Sequence, residues 1–61
     1  MTNRQLQEQN YLLLCKQSNT TPFKYINKIS YIGLIIEINA LLKTTNCIPF
    51  TPKEIEDILN E

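Results

Sequence analysis

The feature that most constrains this chain is an apolar run from Tyr31 to Leu42, in which Glu37 and Asn39 are the strongly polar side chains. The run is too short to span a membrane, which takes about 20 apolar residues. Wound into a helix, it presents apolar side chains on two sides rather than one. A chain of 61 residues has little else with which to cover both sides. The run therefore predicts a helix that packs against a second molecule as well as against its own chain.

The short length also limits where stability can come from. A chain of 61 residues forms one domain at most, which we assign to residues 1–61, and domains of this size commonly need disulfides, a metal or a second subunit. Cys15 and Cys47 are too few for a secreted disulfide scaffold, and without histidine the chain lacks the ligands of a structural zinc site. We therefore expect no metal or other cofactor, a reducing cytoplasmic setting, and stabilisation by self-association.

Capping signals predict a helix near each end of the chain. Thr2 and Gln5 have the spacing of a capping box, which predicts a first helix over Asn3–Gln17. Thr51 and Glu54 have the same spacing and predict a third helix of about nine residues. A helix that short is not stable alone in water, so we expect it to dock on the rest of the chain.

The segment between these helices predicts one long central helix. Pro22 suits the first turn of a helix, and no further proline interrupts the segment before about Thr44. Asn46 tolerates the left-handed backbone found at helix ends, so it marks the terminus. An extended strand from Tyr31 to Ile38 is the alternative, because tyrosine and isoleucine favour strands, although no turn-forming pair nearby would close a hairpin. We identify no internal repeat.

Residues placed at about 100° intervals on the central helix form two apolar faces. The first face runs along its whole length and is predicted to receive the first helix; it contains Tyr25, Ile26, Ile29, Ile32, Gly33, Ile36 and Ala40. The second face is limited to the later half and contains Tyr31, Leu34, Ile35, Ile38, Leu41 and Leu42. Because large open apolar patches are uncommon on soluble monomers, this second face is the predicted protein interface, covered partly by the third helix and partly by another molecule. The predicted fold is all-α, a small three-helix bundle with a long central helix, completed by formation of a homodimer.

Groups that carry out catalysis are missing from the sequence. Histidine is absent, so Cys15 has no evident base to ionise its thiol and is predicted to be a core residue. Acidic residues near the start of the third helix are explained by the favourable interaction of carboxylates with a helix N-terminus. We therefore predict that the protein is not an enzyme.

The surplus of apolar surface leads to a first functional hypothesis, a small regulator that binds and modulates a larger protein. The abundance of Ile, Asn and Lys agrees with an origin in a phage, a plasmid or a low-GC bacterium. The alternative is a small dimeric DNA-binding regulator of transcription or replication, in which Lys24, Asn27 and Lys28 of each subunit contact phosphates. A subunit of a larger assembly is a third hypothesis. None of the three involves a membrane.

Overall fold

The computed structural model describes residues 2–60 and contains helices but no strand over that range. Three α-helices, α1 (Asn3–Gln17), α2 (Tyr31–Thr44) and α3 (Pro52–Asn60), are joined by two connectors, and the first connector contains a short 3-10 helix at Ile26–Lys28. α1 packs against α2. The structure confirms the all-helical fold with three helices, the bounds of α1 and the start of α3.

Both terminal helices begin with the predicted capping boxes. The hydroxyl of Thr2 accepts a hydrogen bond from the amide of Gln5 at 3.2 Å, and the side chain of Gln5 accepts one from the amide of Thr2 at 2.9 Å. The hydroxyl of Thr51 accepts from the amide of Glu54 at 3.2 Å, and the carboxylate of Glu54 accepts from the amide of Thr51 at 3.3 Å. These bonds satisfy amides that a helix start leaves without an intrahelical partner.

The prediction of a long central helix is wrong for its first part. α2 begins at Tyr31 rather than at Pro22. Ser30 caps α2, since its hydroxyl accepts a hydrogen bond from the amide of Gly33 at 3.1 Å. An N-cap serine has extended backbone and takes an amide that a continuing helix would need, so it marks a helix start. The extended alternative is also wrong, because residues 31–38 are helical.

The first connector is held against α1 at two places. The guanidinium of Arg4 donates to the carbonyls of Ile26 and Ile29 at 3.2 Å and 2.5 Å. The amide of Phe23 donates to the hydroxyl of Tyr11 at 3.0 Å. A helix running through this segment would use those two carbonyls for its own hydrogen bonds. The contacts with α1 therefore supply the physical reason why the segment before Ser30 is not an α-helix.

The starts of α1 and α2 lie at the same end of the molecule. Arg4, in the first turn of α1, contacts Ile26 and Ile29 just before α2 begins. Towards the other end, Leu14 of α1 and Leu42 of α2 line one groove. The two helices therefore run in the same general direction, and the first connector returns along α1 to reach the start of α2.

The core lies between α1 and α2. Its buried side chains are Tyr11, Cys15, Leu34, Ile35, Ile38 and Leu41. Half-buried apolar residues surround this core, and they include Ile55, Ile58 and Leu59 of α3. Burial of Cys15 confirms its prediction as a core residue.

The face of α2 that packs against α1 is the opposite of the one that we predicted. On the face predicted to receive α1, Ile32 and Ile36 are 52% and 59% exposed. The predicted face had drawn part of its apolar surface from Tyr25 and Ile26, which precede α2 and are not on it. Within α2 itself the denser apolar face is the other one, so burying that face against α1 removes more apolar surface from water.

The two connectors begin with the same turn, so our expectation of no internal repeat is wrong. The pattern Leu-x-Lys-x-Ser/Thr-Asn-x-x-Pro-Phe occurs twice, at residues 14–23 and at residues 41–50. We call these segments the first and the second Pro-Phe turn. Asn19 and Asn46 hold equivalent positions with left-handed φ values of 56° and 61°. The left-handed conformation at Asn46 confirms its predicted role at the end of the central helix.

Equivalent hydrogen bonds terminate the helices in the two turns. The amide of Thr20 donates to the carbonyl of Cys15 at 2.9 Å, and the amide of Cys47 donates to the carbonyl of Leu42 at 2.8 Å. With the left-handed asparagine in between, each set forms a Schellman motif. The repeat is thus one of structure as well as of sequence.

A side chain of the preceding helix anchors the phenylalanine of each turn. The amide of Phe23 donates to the hydroxyl of Tyr11, and the amide of Phe50 donates to Oδ1 of Asn39 at 2.6 Å. Asn39 therefore has a structural role within the chain. It fastens the second connector to α2.

Candidate interaction surfaces

The residues of the predicted protein interface lie in or beside the core. Leu34, Ile35, Ile38 and Leu41 are at most 7% exposed, and Tyr31 and Leu42 are half-buried next to them. α1 covers the side of α2 that we expected to be open. Surfaces that can meet another molecule must therefore be sought among other apolar residues.

One such surface is a groove of about 370 Å³ between α1, α2 and the second connector, which we call the α1–α2 groove. It is lined by Asn10, Leu13, Leu14, Gln17, Ile38, Leu42, Ile48 and Phe50. The floor consists of apolar side chains that touch the core, and the polar lining consists of uncharged amides. A groove of this kind suits apolar groups with a few hydrogen-bonding atoms.

Ile48 stands on the rim of the α1–α2 groove and is 89% exposed. Leu13, which also lines the groove, is 57% exposed. The equivalent residue in the first Pro-Phe turn is Thr21, so the turn itself does not require an apolar side chain at this position. Sequence reasoning did not single out Ile48, and alignment of the two turns is the signal that could have drawn attention to its exposed apolar side chain.

A second surface is the side of α2 turned away from α1. We call it the outer face and define it as Ile32, Gly33, Ile36 and Ala40. Its two isoleucines are more than half exposed, and Ala40 is exposed. A notch of about 140 Å³, lined by Phe23, Ile29, Gly33 and Glu37, adjoins the outer face. The outer face thus combines apolar groups with one carboxylate at its edge.

The residues predicted to contact nucleic acid are exposed on the first connector. Lys24, Asn27 and Lys28 all face solvent. The ammonium groups of Lys24 and Lys28 lie 5.7 Å and 5.2 Å from the centre of the Tyr25 ring, which is 50% exposed. The structure brings both lysines to one aromatic ring, and such cation–π contacts place their charges together at the surface.

Arg4 does not join this basic cluster. Its guanidinium bonds the two connector carbonyls and also contacts the carboxylate of Glu8 at 3.1 Å. The same hydrogen bonds hold the connector that carries Lys24 and Lys28. The role of Arg4 is therefore to position the segment.

Among the titratable side chains of residues 2–60, that of Tyr11 has a pKa clearly shifted from its ordinary value. It is 4% exposed, and burial raises the pKa of its hydroxyl because the phenolate would lose hydration. The hydrogen bond donated by the amide of Phe23 opposes that rise, since it favours the charged form, while Cys15 adds to it. Tyr11 therefore remains neutral and serves as an anchor for the first Pro-Phe turn.

Over residues 2–60 no group of three or more Cys, Asp or Glu side chains is arranged to hold a metal ion. Both cysteines are free thiols, Cys15 buried and Cys47 exposed. None of the helices described is long and apolar enough to cross a lipid bilayer.

Comparisons with protein-family models, curated proteins and solved structures find no match to this chain.

Proposed function

We propose that this chain is a small non-enzymatic regulatory protein that binds a larger protein through the α1–α2 groove. The observation that carries the proposal is the 89% exposure of Ile48 on the rim of an apolar groove. In the free chain the exposed side chain of Ile48 buries little apolar surface, so it contributes little to the stability of the fold. Burial of the same side chain by a partner would contribute about 1.5–3 kcal/mol to binding.

The partner segment that best suits the groove is an amphipathic helix. Charged residues do not line the groove, so a charged group placed at its centre would lose hydration without compensation. Apolar anchors spaced along one helical side can meet Leu13 and Ile48 while the amides of Asn10 and Gln17 meet polar atoms of the partner. A chain of 7.1 kDa acting in this way would modulate its target by occupying a surface.

The proposed setting is the cytoplasm. The exposed thiol of Cys47 is free, and free surface thiols persist in a reducing compartment.

A selection from a phage-displayed library of random linear peptides tests the proposal. The immobilised wild-type chain should enrich peptides with apolar residues at helical spacing. The Ile48→Thr variant, which gives the second turn the residue found in the first, should bind these peptides at least about tenfold more weakly because an apolar anchor is lost. The variant should stay folded, since surface substitutions of this kind change stability by about 0.5 kcal/mol or less.

Lys53→Gln on α3 is the matched control for an exposed site outside the groove, and it should leave peptide affinity unchanged. The proposal fails if no peptide is enriched. It also fails if the enriched peptides bind Ile48→Thr as tightly as they bind the wild type.

The second candidate is a DNA-binding regulator that uses the Lys24, Tyr25 and Lys28 cluster. The observation that favours it is the convergence of two ammonium groups on one exposed aromatic ring. Lysines neutralise phosphates, and an exposed ring can stack on an unpaired base. Asn27 lies beside them in the chain and can supply a hydrogen-bond donor.

Titration of labelled single-stranded and duplex DNA at low salt tests this candidate. Binding should weaken steeply as salt rises, and a Lys24→Gln/Lys28→Gln variant should show a shallower salt dependence by about two phosphate contacts per chain. Lys53→Gln is again the control. Equal binding by the double variant and the control, or no binding at all, rules the candidate out.

A further inference from the structure

We infer that the notch lined by Phe23, Ile29, Gly33 and Glu37 binds an arginine side chain of a partner protein. In this arrangement the carboxylate of Glu37 pairs with the guanidinium, while Phe23 and Ile29 contact its flat face and apolar stem. The inference goes beyond the proposed function, because it assigns a charged ligand group to a second site. That site shares no lining residue with the α1–α2 groove.

The notch and the α1–α2 groove occupy equivalent places in the two halves of the chain. The Pro-Phe repeat relates residue 14 to residue 41, so Phe23 of the notch corresponds to Phe50 of the groove. By the same offset, Glu37 of the notch corresponds to Asn10 of the groove. Each cleft therefore includes one helix and the Pro-Phe turn that follows the other helix.

The charge at this equivalent position differs between the two clefts. The amide of Asn10 lines the groove, whereas the carboxylate of Glu37 lines the notch. Because the chain builds equivalent helices and turns with either side chain, the fold does not require a carboxylate at this position. The carboxylate instead determines which ligand group the notch favours, and that group is a cation.

The carboxylate of Glu37 is available to a ligand. Glu37 is exposed, and no lysine or arginine of residues 2–60 forms an ion pair with it. Burial raises the pKa of Tyr11, and the negative charge of Glu37 adds to that rise. The carboxylate therefore lies near the hydroxyl that anchors the amide of Phe23. The acid and the aromatic residue thus belong to one site.

Arginine suits this lining better than lysine does. The notch has a volume of about 140 Å³, and a cavity of about 150 Å³ holds a group as large as benzene. A guanidinium with part of its stem is of this size. It pairs with a carboxylate, stacks on an aromatic ring such as that of Phe23, and is more weakly hydrated than an ammonium group. Half-buried Ile29 supplies apolar surface for the stem.

Titration of the isotope-labelled full chain with N-acetylarginine amide, followed by NMR, tests the inference. The probe carries no terminal charges, as is true of an arginine within a protein. The backbone amide signals of Phe23, Gly33 and Glu37 should shift and saturate with a dissociation constant of about 1–30 mM, as expected for a single side chain. N-acetyllysine amide should bind at least about threefold more weakly, because its ammonium group is more strongly hydrated and does not stack.

Two variants separate the contributions of the charge and the ring. Glu37→Gln should weaken binding of N-acetylarginine amide about fivefold, because the ion pair is lost. Phe23→Leu should weaken it about threefold, because an apolar contact remains but the aromatic face is lost. Both residues are exposed, so each variant should keep its helical circular dichroism. Glu56→Gln, the same change on an exposed residue of α3, is the matched control and should leave binding unchanged.

Four results would overturn the inference. One is the absence of saturable shifts at the three amides up to about 100 mM probe. Another is equal binding of the probe by Glu37→Gln and Glu56→Gln. A third is equal binding of the arginine and lysine probes by the wild type. The last is tighter binding of free arginine than of the capped probe, which would make the amino acid, rather than a protein, the ligand.

The outcome is independent of the proposed function. Ile48→Thr, which disables the α1–α2 groove, should bind N-acetylarginine amide as tightly as the wild type does. Peptide selection through the groove can therefore fail while the notch binds arginine, and the reverse result is equally distinguishable.

Discussion

The two Pro-Phe turns have the same backbone geometry but different surroundings. Each ends a helix with a left-handed asparagine, and each has a phenylalanine amide bound by a side chain of the preceding helix. The first turn leads into a connector that returns along α1 and carries the basic cluster. The second leads directly into the capped start of α3 and carries an exposed isoleucine.

This contrast separates residues needed for the turn from residues that the turn merely displays. The asparagine, the proline and the phenylalanine are common to both, and they meet the needs of the backbone and of packing. Thr21 and Ile48 hold equivalent positions with opposite polarity in turns of equivalent geometry. The polarity at this position is therefore free of folding constraints and open to selection for binding.

Replacing each phenylalanine by alanine should distinguish the turns most strongly. Phe50 is half-buried against the core, whereas Phe23 is 47% exposed. We expect Phe50→Ala to lower the free energy of unfolding by about 2–3 kcal/mol and Phe23→Ala by about 1 kcal/mol, in proportion to the apolar surface each buries. Urea denaturation followed by circular dichroism measures both. Equal losses would mean that the two turns pack alike.

Removing the side chain that anchors each turn should have a smaller effect. Asn39→Ala leaves the amide of Phe50 without its acceptor, and we expect a loss of about 1–2 kcal/mol in unfolding free energy. Tyr11→Phe removes the acceptor of the Phe23 amide but keeps the ring in the core, so about 1 kcal/mol should be lost. Hydrogen exchange should speed up at the Phe50 amide in the first variant and at the Phe23 amide in the second. Faster exchange at both amides in either variant would contradict independent anchoring.

Substitution of the left-handed asparagines should affect the two turns equally. Asn19→Ala and Asn46→Ala should each cost about 1 kcal/mol, because alanine pays a steric penalty in that conformation. Asn19→Gly and Asn46→Gly should cost little or nothing, since glycine adopts positive φ freely. Thermal unfolding compares the four variants. A glycine variant as unstable as its alanine counterpart would show that the asparagine side chain, rather than the backbone, supports the turn.

High pH should weaken the first turn and spare the second. Burial raises the pKa of Tyr11 above its ordinary value of 10.0, so above pH 10.0 the unfolded chain releases a proton that the folded chain retains. The stabilising contribution is therefore complete below that pH and is lost as the pH rises towards the folded-state pKa. Between about pH 9 and about pH 11, Tyr11→Phe should lose less thermal stability than the wild type, whereas Asn39→Ala should lose as much. Equal losses in all three chains would contradict this assignment.

Local signals in the sequence were sufficient for the helices at the two ends. The capping boxes at Thr2 and Thr51 involve residues three positions apart, so the pattern contains both halves of each interaction. The same holds for Asn46, whose backbone conformation follows from its own side chain and its neighbours. Such features do not depend on how the helices pack.

The course of the first connector could not be predicted in the same way. It depends on Arg4, which binds carbonyls 22 and 25 residues further along the chain, and on Tyr11, which binds an amide 12 residues away. Pairings at such distances leave no periodic trace in the sequence. The choice of the buried face of α2 depended in turn on the course of this connector. A shorter helix has fewer apolar residues on the first predicted face, so the second face becomes the more apolar of the two.

The shared direction of α1 and α2 gives the molecule an electrical polarity that its net charge of zero conceals. Peptide dipoles in the two helices add rather than cancel, so their starts share a positive pole and their ends a negative one. Lys16 and Lys43, in the last turns of α1 and α2, offset the negative pole. At the positive pole, neither first turn contains an acidic residue, and the charge of Arg4 is paired with that of Glu8. An acidic group placed at that end would therefore be stabilised by the two dipoles over about the first turn of each helix.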